Sequence, residues 1–271
     1  LQEIVVVGYG STAKRDVTGA VSSINSKDMN QGAIVNPLQL IAGKAAGVNI
    51  SQLGNEPGSG PSVRIRGIGS LIGGNDPLVV VDGIQGNMDL LNQVPPSEIE
   101  NIDILKDASA TAVYGSRGAP GVIIVTTKKN KAGKTTMEYI GSTSLDFIPK
   151  KLDMLSADQW WKAAQSVGVP ASANHGSNTD WYGLLTQTGL TQTHTLSFGG
   201  ATEKFNYRAS ITAILQDGVV INSNTKKYIG RIQATQLAMD DKLKLTFNLN
   251  NGIINTDSSI GSIGTAAYSS N

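Results

Sequence analysis

The chain has 271 residues, a formal net charge of +1 and no cysteine. That excludes a disulfide framework and a thiolate metal site, and gives no electrostatic basis for binding nucleic acid. The length suits one large domain or two ordinary ones, and 31 glycines with 5% aromatic residues describe a chain rich in turns and light in bulky core formers. No secretory signal is visible, and Leu1 is not an initiator methionine, so an upstream segment is expected. No apolar run approaches the ~18 residues of a spanning helix. This leaves a membrane β-barrel open, whose strands are shorter and half apolar.

The chain opens "LQEIVVVGYG", with four β-branched residues from Ile4 to Val7 after Glu3 and before Gly8 and Gly10. Such a run belongs in a sheet, yet it sits where chains usually fray. Up to about Asn130 the sequence alternates short strands with Gly-rich loops and reads as a small α+β unit. A helix is expected over 38–46, with Leu38, Ile41 and Ala45 on one face. Strands are expected at Ser62–Arg66 and Leu78–Val81, the second followed by the hairpin signal Asp82-Gly83. "PPSEIENIDILKD" offers a capping box from Ser97 to Glu100 for a short helical turn, then a strand in "IDIL". "ASATAVYG" reads as a helix stopped by Gly115, and "GVIIVTTKK" as a strand.

After the basic linker "KNKAGK" the character changes to strict alternation. Met137, Tyr139, Leu145 and Phe147 share one face, and Glu138, Ser142, Ser144 and Asp146 the other. Phe205, Tyr207, Ala209, Ile211 and Ala213 oppose Asn206, Arg208, Ser210 and Thr212; Leu243, Leu245, Phe247 and Leu249 oppose Lys244, Thr246, Asn248 and Asn250. These are strands with one dry and one wet face. A soluble sandwich fits this pattern as well as a membrane barrel does. The Asn/Thr/Ser-rich wet face, the ~10-residue strand length and the short polar turns "GGATEK" and "QLAMDDK" favour the barrel. An insertion over about 149–190 carries a helix N-capped by Ser156 and ending near Gly168, then a second short helix or turn in "NTDWYGLLTQTG".

Enzymatic motifs start and fail. "AGKTT" lacks the first P-loop glycine, because Lys128 stands there, and a strand rather than a helix follows it. "GIGSLIGG" has the wrong spacing for a dinucleotide loop. His175 and His194 form no metal-ligand pattern, and His194 alternates with Leu196 and Phe198 on an outer strand face. No G-x-S-x-G elbow occurs. No catalytic residue, cofactor or metal is therefore expected. Arg64 and Arg66 flank Ile65; a buried one would need a carboxylate partner, while a solvated strand face is the alternative. Asp76 and Asp82 bracket "PLVVV" as turn formers.

"EIVVVGYG", "SVRIRG", "PLVVVDGI", "IENIDILKDASATAVYGSRGAPGVIIVTTKK" and "TQTHTLSFGGATEKFNYRASI" occur in this order. Together they resemble the SusC-like branch of TonB-dependent outer-membrane transporters of Bacteroidetes-type bacteria, through nearly the whole chain. The resemblance implies a Ton box and flexible joint over 1–15, an α+β plug over 16–130, and over 131–271 the first strands of a 22-stranded transmembrane β-barrel embedded in outer-membrane lipid. It also implies that the chain is incomplete, since five strands leave open edges in lipid. Glu3, Ile4, Val5, Val6 and Val7 would be the Ton box, added as a strand to TonB, which draws on the proton-motive force through inner-membrane partners. Extracellular plug loops would lie at about 52–60, 70–76 and 85–91, with Asn55, Asn75, Asn87 and Asp89 as contacts for sugar hydroxyls or, alternatively, ordinary polar loop residues. A SusD-like surface lipoprotein would close over the mouth in a two-component complex. The cargo implied is an oligosaccharide, with a peptide as the alternative, and a soluble β-rich adhesin or carbohydrate-binding module as the rival class. "GAPGVI" departs from the family's "GAxNGVI" and shortens the turn at Pro120-Gly121.

Overall fold

The computed structural model describes residues 4–7, 10–13, 21–52, 56–67, 74–107, 111–133, 135–150, 153 and 155–258. Two strands, β1 (Ile4–Val7) and β2 (Gly10–Ala13), pair antiparallel with each other. An α+β unit follows, and after it a five-stranded meander.

The α+β unit is built on the sheet β3-β8-β9-β6-β7, formed by β3 (Val21–Asn25), β6 (Leu78–Val81), β7 (Ile84–Gly86), β8 (Ile99–Leu105) and β9 (Val122–Thr127). β6 and β9 run parallel at its centre, and the other pairs are antiparallel. Their uninterrupted Val/Ile runs follow from burial on both faces. Val79, Val81, Ile102, Ile104, Ile123 and Val125 pack into one cluster. Leu78, Val80, Leu105, Val122 and Ile124 pack into a second around Tyr114. The first cluster is completed by α1 (Pro37–Ile41) and by the hairpin of β4 (Val48–Ser51) and β5 (Ser62–Ile65).

Several local expectations need correction. The helix expected over 38–46 ends at Ile41, and Gly43 beyond it is left-handed at φ +75°. Leu38, Ile41 and Ala45 are all buried as the spacing required. Its start is fixed by a capping box between Asn36 and Gln39. Ser97 caps nothing: it lies inside a 3₁₀ turn, Pro96–Glu98, and β8 begins before a helix could complete a turn. The "TAVYGSRG" stretch is a 3₁₀ segment over Ala112–Gly118, and Gly115 does not end it but kinks it with φ +61°. β5 stops at Ile65, because Arg66 turns left-handed at φ +57°. The Asp82-Gly83 hairpin is as expected, with both residues at positive φ (48° and 90°), the geometry of a type I′ turn.

The meander is β10 (Thr136–Asp146), β11 (Gly189–Ala201), β12 (Phe205–Asp217), β13 (Asn224–Ala238) and β14 (Leu243–Asp257), all antiparallel. Turns 202–204 and 239–242 lie on the side where the chain leaves the α+β unit, and the insertion on the other. The α+β unit also holds α2 (Met88–Asn92), between β7 and β8, and the insertion carries α3 (Ala157–Ser166), capped by Ser156 and Gln159, and α4 (Trp181–Leu185).

Candidate functional site

The meander is inverted relative to a soluble sheet. Its polar face is the buried one: Thr195, Ser197, Arg208, Ser210, Thr212, Arg231 and Gln233 are all less than 9% exposed, while Met137, Ile211 and Phe247 on the other face are 74%, 68% and 58% exposed. Water penalises a broad apolar face of this kind and hydrocarbon does not. His194 lies on this outer face, its ring stacked on Tyr139 and its Nδ1 2.7 Å from the tyrosine hydroxyl.

The α+β unit covers the polar face and is fastened to it. Arg208 Nε and Nη2 donate to the two carboxylate oxygens of Glu98 at 2.7 and 2.8 Å, a bidentate fork. The same Nη2 also reaches Ser197 at 2.9 Å and Glu138 at 3.2 Å. Arg231 pairs with Asp82 and donates to Thr127 Oγ1 at 2.9 Å, and Asp82 in turn accepts from the Thr127 amide (3.0 Å) and hydroxyl (2.8 Å). Arg208 and Arg231 are diagonal neighbours, since Arg208 faces Gln233 and Ser210 faces Arg231 across β12 and β13. Ser97 meets Thr195 at 2.9 Å, the Lys227 ammonium donates to the Asn92 carbonyl, and the Asn250 amide donates to the Gln93 carbonyl at 3.3 Å. These pairings offset the burial of the charges, most fully at Arg208, while Arg231 Nη1 stays buried without a partner. The sequence reading assigned Asp82 to a turn and Arg208 to a wet face; what it lacked was that a charge on a strand's inward face needs a named partner.

At the other end of β6 and β9 a cavity of about 470 Å³ opens, lined by Asp76, Asn87, Met88, Asp89, Ser116 and Arg117 among others. Two expected loop residues, Asn87 and Asp89, thus share one cavity with Arg117 and Ser116, which were not anticipated. Asn87 also N-caps α2, accepting from the Asp89 and Leu90 amides at 3.1 and 3.4 Å and donating to the Asp89 carboxylate at 2.9 Å. Asn75 sits beside the lining, between Gly74 and Asp76; Asn55 lies outside the described residues, as does Glu3. Arg64 and Arg66 are not buried, their side chains being 39% and 52% exposed, yet both have carboxylate partners, Asp76 and Asp107. Ile4–Val7 is already paired with Gly10–Ala13 within the chain. Among the described residues no cluster suited to a metal ion occurs.

Residues 13–122 match the TonB-dependent Receptor Plug Domain family. Over 265 residues, 94% of the chain, it is 38% identical to the TonB-dependent receptor SusC of Bacteroides thetaiotaomicron. The chain belongs to the SusC-like TonB-dependent receptors. The receptor P3 of Formosa agariphila is 42% identical over 232 residues, 84% of this chain and 22% of that protein. The solved RagAB peptide importer in its open-open state superposes with a TM-score of 0.84 over 95% of this chain and 33% of that one, at 26% identity. The chain spans about a quarter of SusC, 26% of its length. It therefore comprises the plug and the first barrel strands of an outer-membrane receptor, with the apolar meander face toward lipid and the plug against the barrel's inner wall.

Proposed function

We propose that this SusC-like chain supplies the gate and the first stretch of wall of an importer that carries oligosaccharides across the outer membrane. The observation behind this reading is the inside-out meander closed by a polar, charge-paired plug: a transmembrane passage that is blocked at rest and needs work to open. Glu3 to Val7 serve as the Ton box, so that TonB, drawing on the proton-motive force, supplies that work by pulling on the plug. A strand that pairs with β2 in the resting chain already has the extended backbone that strand addition to TonB requires. A SusD-like surface lipoprotein closes the mouth as the second component.

Oligosaccharide is favoured by the greater identity to SusC, 38%, than to the RagAB chains, 26–28%. The cavity's amide, hydroxyl and carboxylate groups at Asn87, Ser116 and Asp89 suit sugar hydroxyls. A peptide cargo is the second reading, favoured by the TM-score of 0.84 to a peptide importer and by Arg117, a partner for a peptide carboxylate. Growth of a deletion strain on a panel of purified glycans and of peptides as sole nutrients tests the cargo. Loss of growth on one glycan class supports the first reading, and loss confined to peptides replaces it with the second.

A further inference from the structure

The two arginines that hold the plug are not equivalent. Among the described residues, the Arg231 side chain bonds to the plug, at Asp82 and Thr127. Arg208 has plug partners, Glu98 and Asn130, but also two on the barrel wall itself, Glu138 on β10 and Ser197 on β11. If the plug draws away, Arg231 loses its carboxylate and is left facing the neutral Ser210 and Asn250 across the sheet. Arg208 keeps a carboxylate and a hydroxyl.

The route of force matters equally. Among the described residues, a pull on the N-terminus first meets the plug's sheet at Val21, the start of β3. It passes from β3 to β8 through five residue pairs, Val21–Leu105 to Asn25–Asn101, and through the Ser26 amide to the Glu100 carbonyl at 2.9 Å. Glu98 adjoins the start of β8. Asp82 lies on the far side of β9, at the end of β6, and along the chain it follows β3 by more than fifty residues. Tension therefore reaches the Glu98–Arg208 fork through the sheet before it reaches Asp82 through the backbone.

We infer that Glu138 is a standby partner: it takes over Arg208 as Glu98 is withdrawn, so that the plug starts to move at this fork while Asp82–Arg231 remains the pin about which it turns. Glu138 is suited to that task. In the resting state it makes the longer contact, 3.2 Å against 2.7 and 2.8 Å for Glu98. A contact that is stronger after release than before it speeds release, and one that is equal in both states does not. The exchange needs no proton transfer, since Arg208 passes from one carboxylate to another.

The inference rests on the plug being the moving gate, but its test does not rest on TonB. The full-length transporter is reconstituted in a lipid bilayer, tethered through Glu3→Cys, and held at constant force while plug extension is followed. The wild-type protein shows a short first step and a later long one. Glu138→Gln slows the first step about tenfold, the scale of one lost charge-assisted hydrogen bond. Glu138→Asp restores most of the rate, Ser197→Ala slows it less, and Glu98→Gln abolishes the first step as a separate event. Asp82→Asn speeds only the long step. A first step within twofold of wild type in both Glu138→Gln and Ser197→Ala overturns the inference, as does a first step governed by Asp82. If the Ton box assignment fails, cellular uptake is affected and this measurement is not.

Discussion

Ile211 is the sharpest place to ask whether the apolar face of the meander meets lipid. It is the central residue of β12, six positions from each end, and 68% exposed. At about 3.3 Å per residue it lies about 20 Å along the strand from either end. A barrel tilt of about 40° turns that into about 15 Å along the membrane normal, near the middle of a ~25 Å apolar band. Ile211→Lys would then cost roughly 2–4 kcal/mol, about 30- to 700-fold in the folding equilibrium. If the same face met water, an exposed substitution would stay within about 0.5 kcal/mol. The control is Val167→Lys, which puts the same charge at an 81% exposed residue of the insertion and should be near neutral. Urea titration of the full-length transporter refolded into vesicles measures both. A cost below about 1 kcal/mol for Ile211→Lys, equal to that of Val167→Lys, would refute the lipid-facing assignment.

Three further outcomes follow from local geometry. Gly121→Ala should destabilise the plug by roughly 1–3 kcal/mol, seen as faster protease nicking of the plug in intact transporter, because Gly121 holds φ +104° and a Cβ there would lie 2.7 Å from Ile65 Cδ1. Asn36→Ala removes the α1 capping box and should cost about 1 kcal/mol by the same readout, with Asn36→Ser recovering most of it. Asn87→Ser keeps a cap for α2 but removes the amide from the cavity, so plug stability should hold while affinity for the imported solute, measured by calorimetry, falls several-fold; unchanged affinity would leave Asn87 with a capping role alone.

How much of this was legible beforehand depends on the kind of signal. The barrel strands were, because period two survives any environment: the faces assigned to Met137–Phe147, Phe205–Ala213 and Leu243–Leu249 are those observed. So were Ser156 as a cap and Asp82-Gly83 as a turn, since each is decided by neighbours in sequence. Alternation alone left undecided which face would be buried. A sandwich and a barrel share the pattern and differ only in what covers the polar side. The plug was read less well. β3, β4 and β7 are only three to five residues long and are stabilised by long-range pairing that no local window contains. The same limit hid the interface: Glu98 and Arg208 are 110 positions apart, and Asp82 and Arg231 are 149 apart. Nothing in "PSEIE" or "FNYRAS" announces the other.

Deleting the opening segment tests most directly whether Glu3–Val7 couples the plug to an energy source. The full transporter and a variant lacking Glu3–Val7 are expressed in the same deletion strain, and uptake of a radiolabelled form of whichever solute the growth panel identifies is followed with and without a proton ionophore. The wild-type protein should accumulate the solute only while the membrane is energised. The shortened protein should reach the outer membrane and bind the solute at the surface but accumulate none. Energy-dependent accumulation at the wild-type rate without Glu3–Val7 would contradict the Ton box assignment.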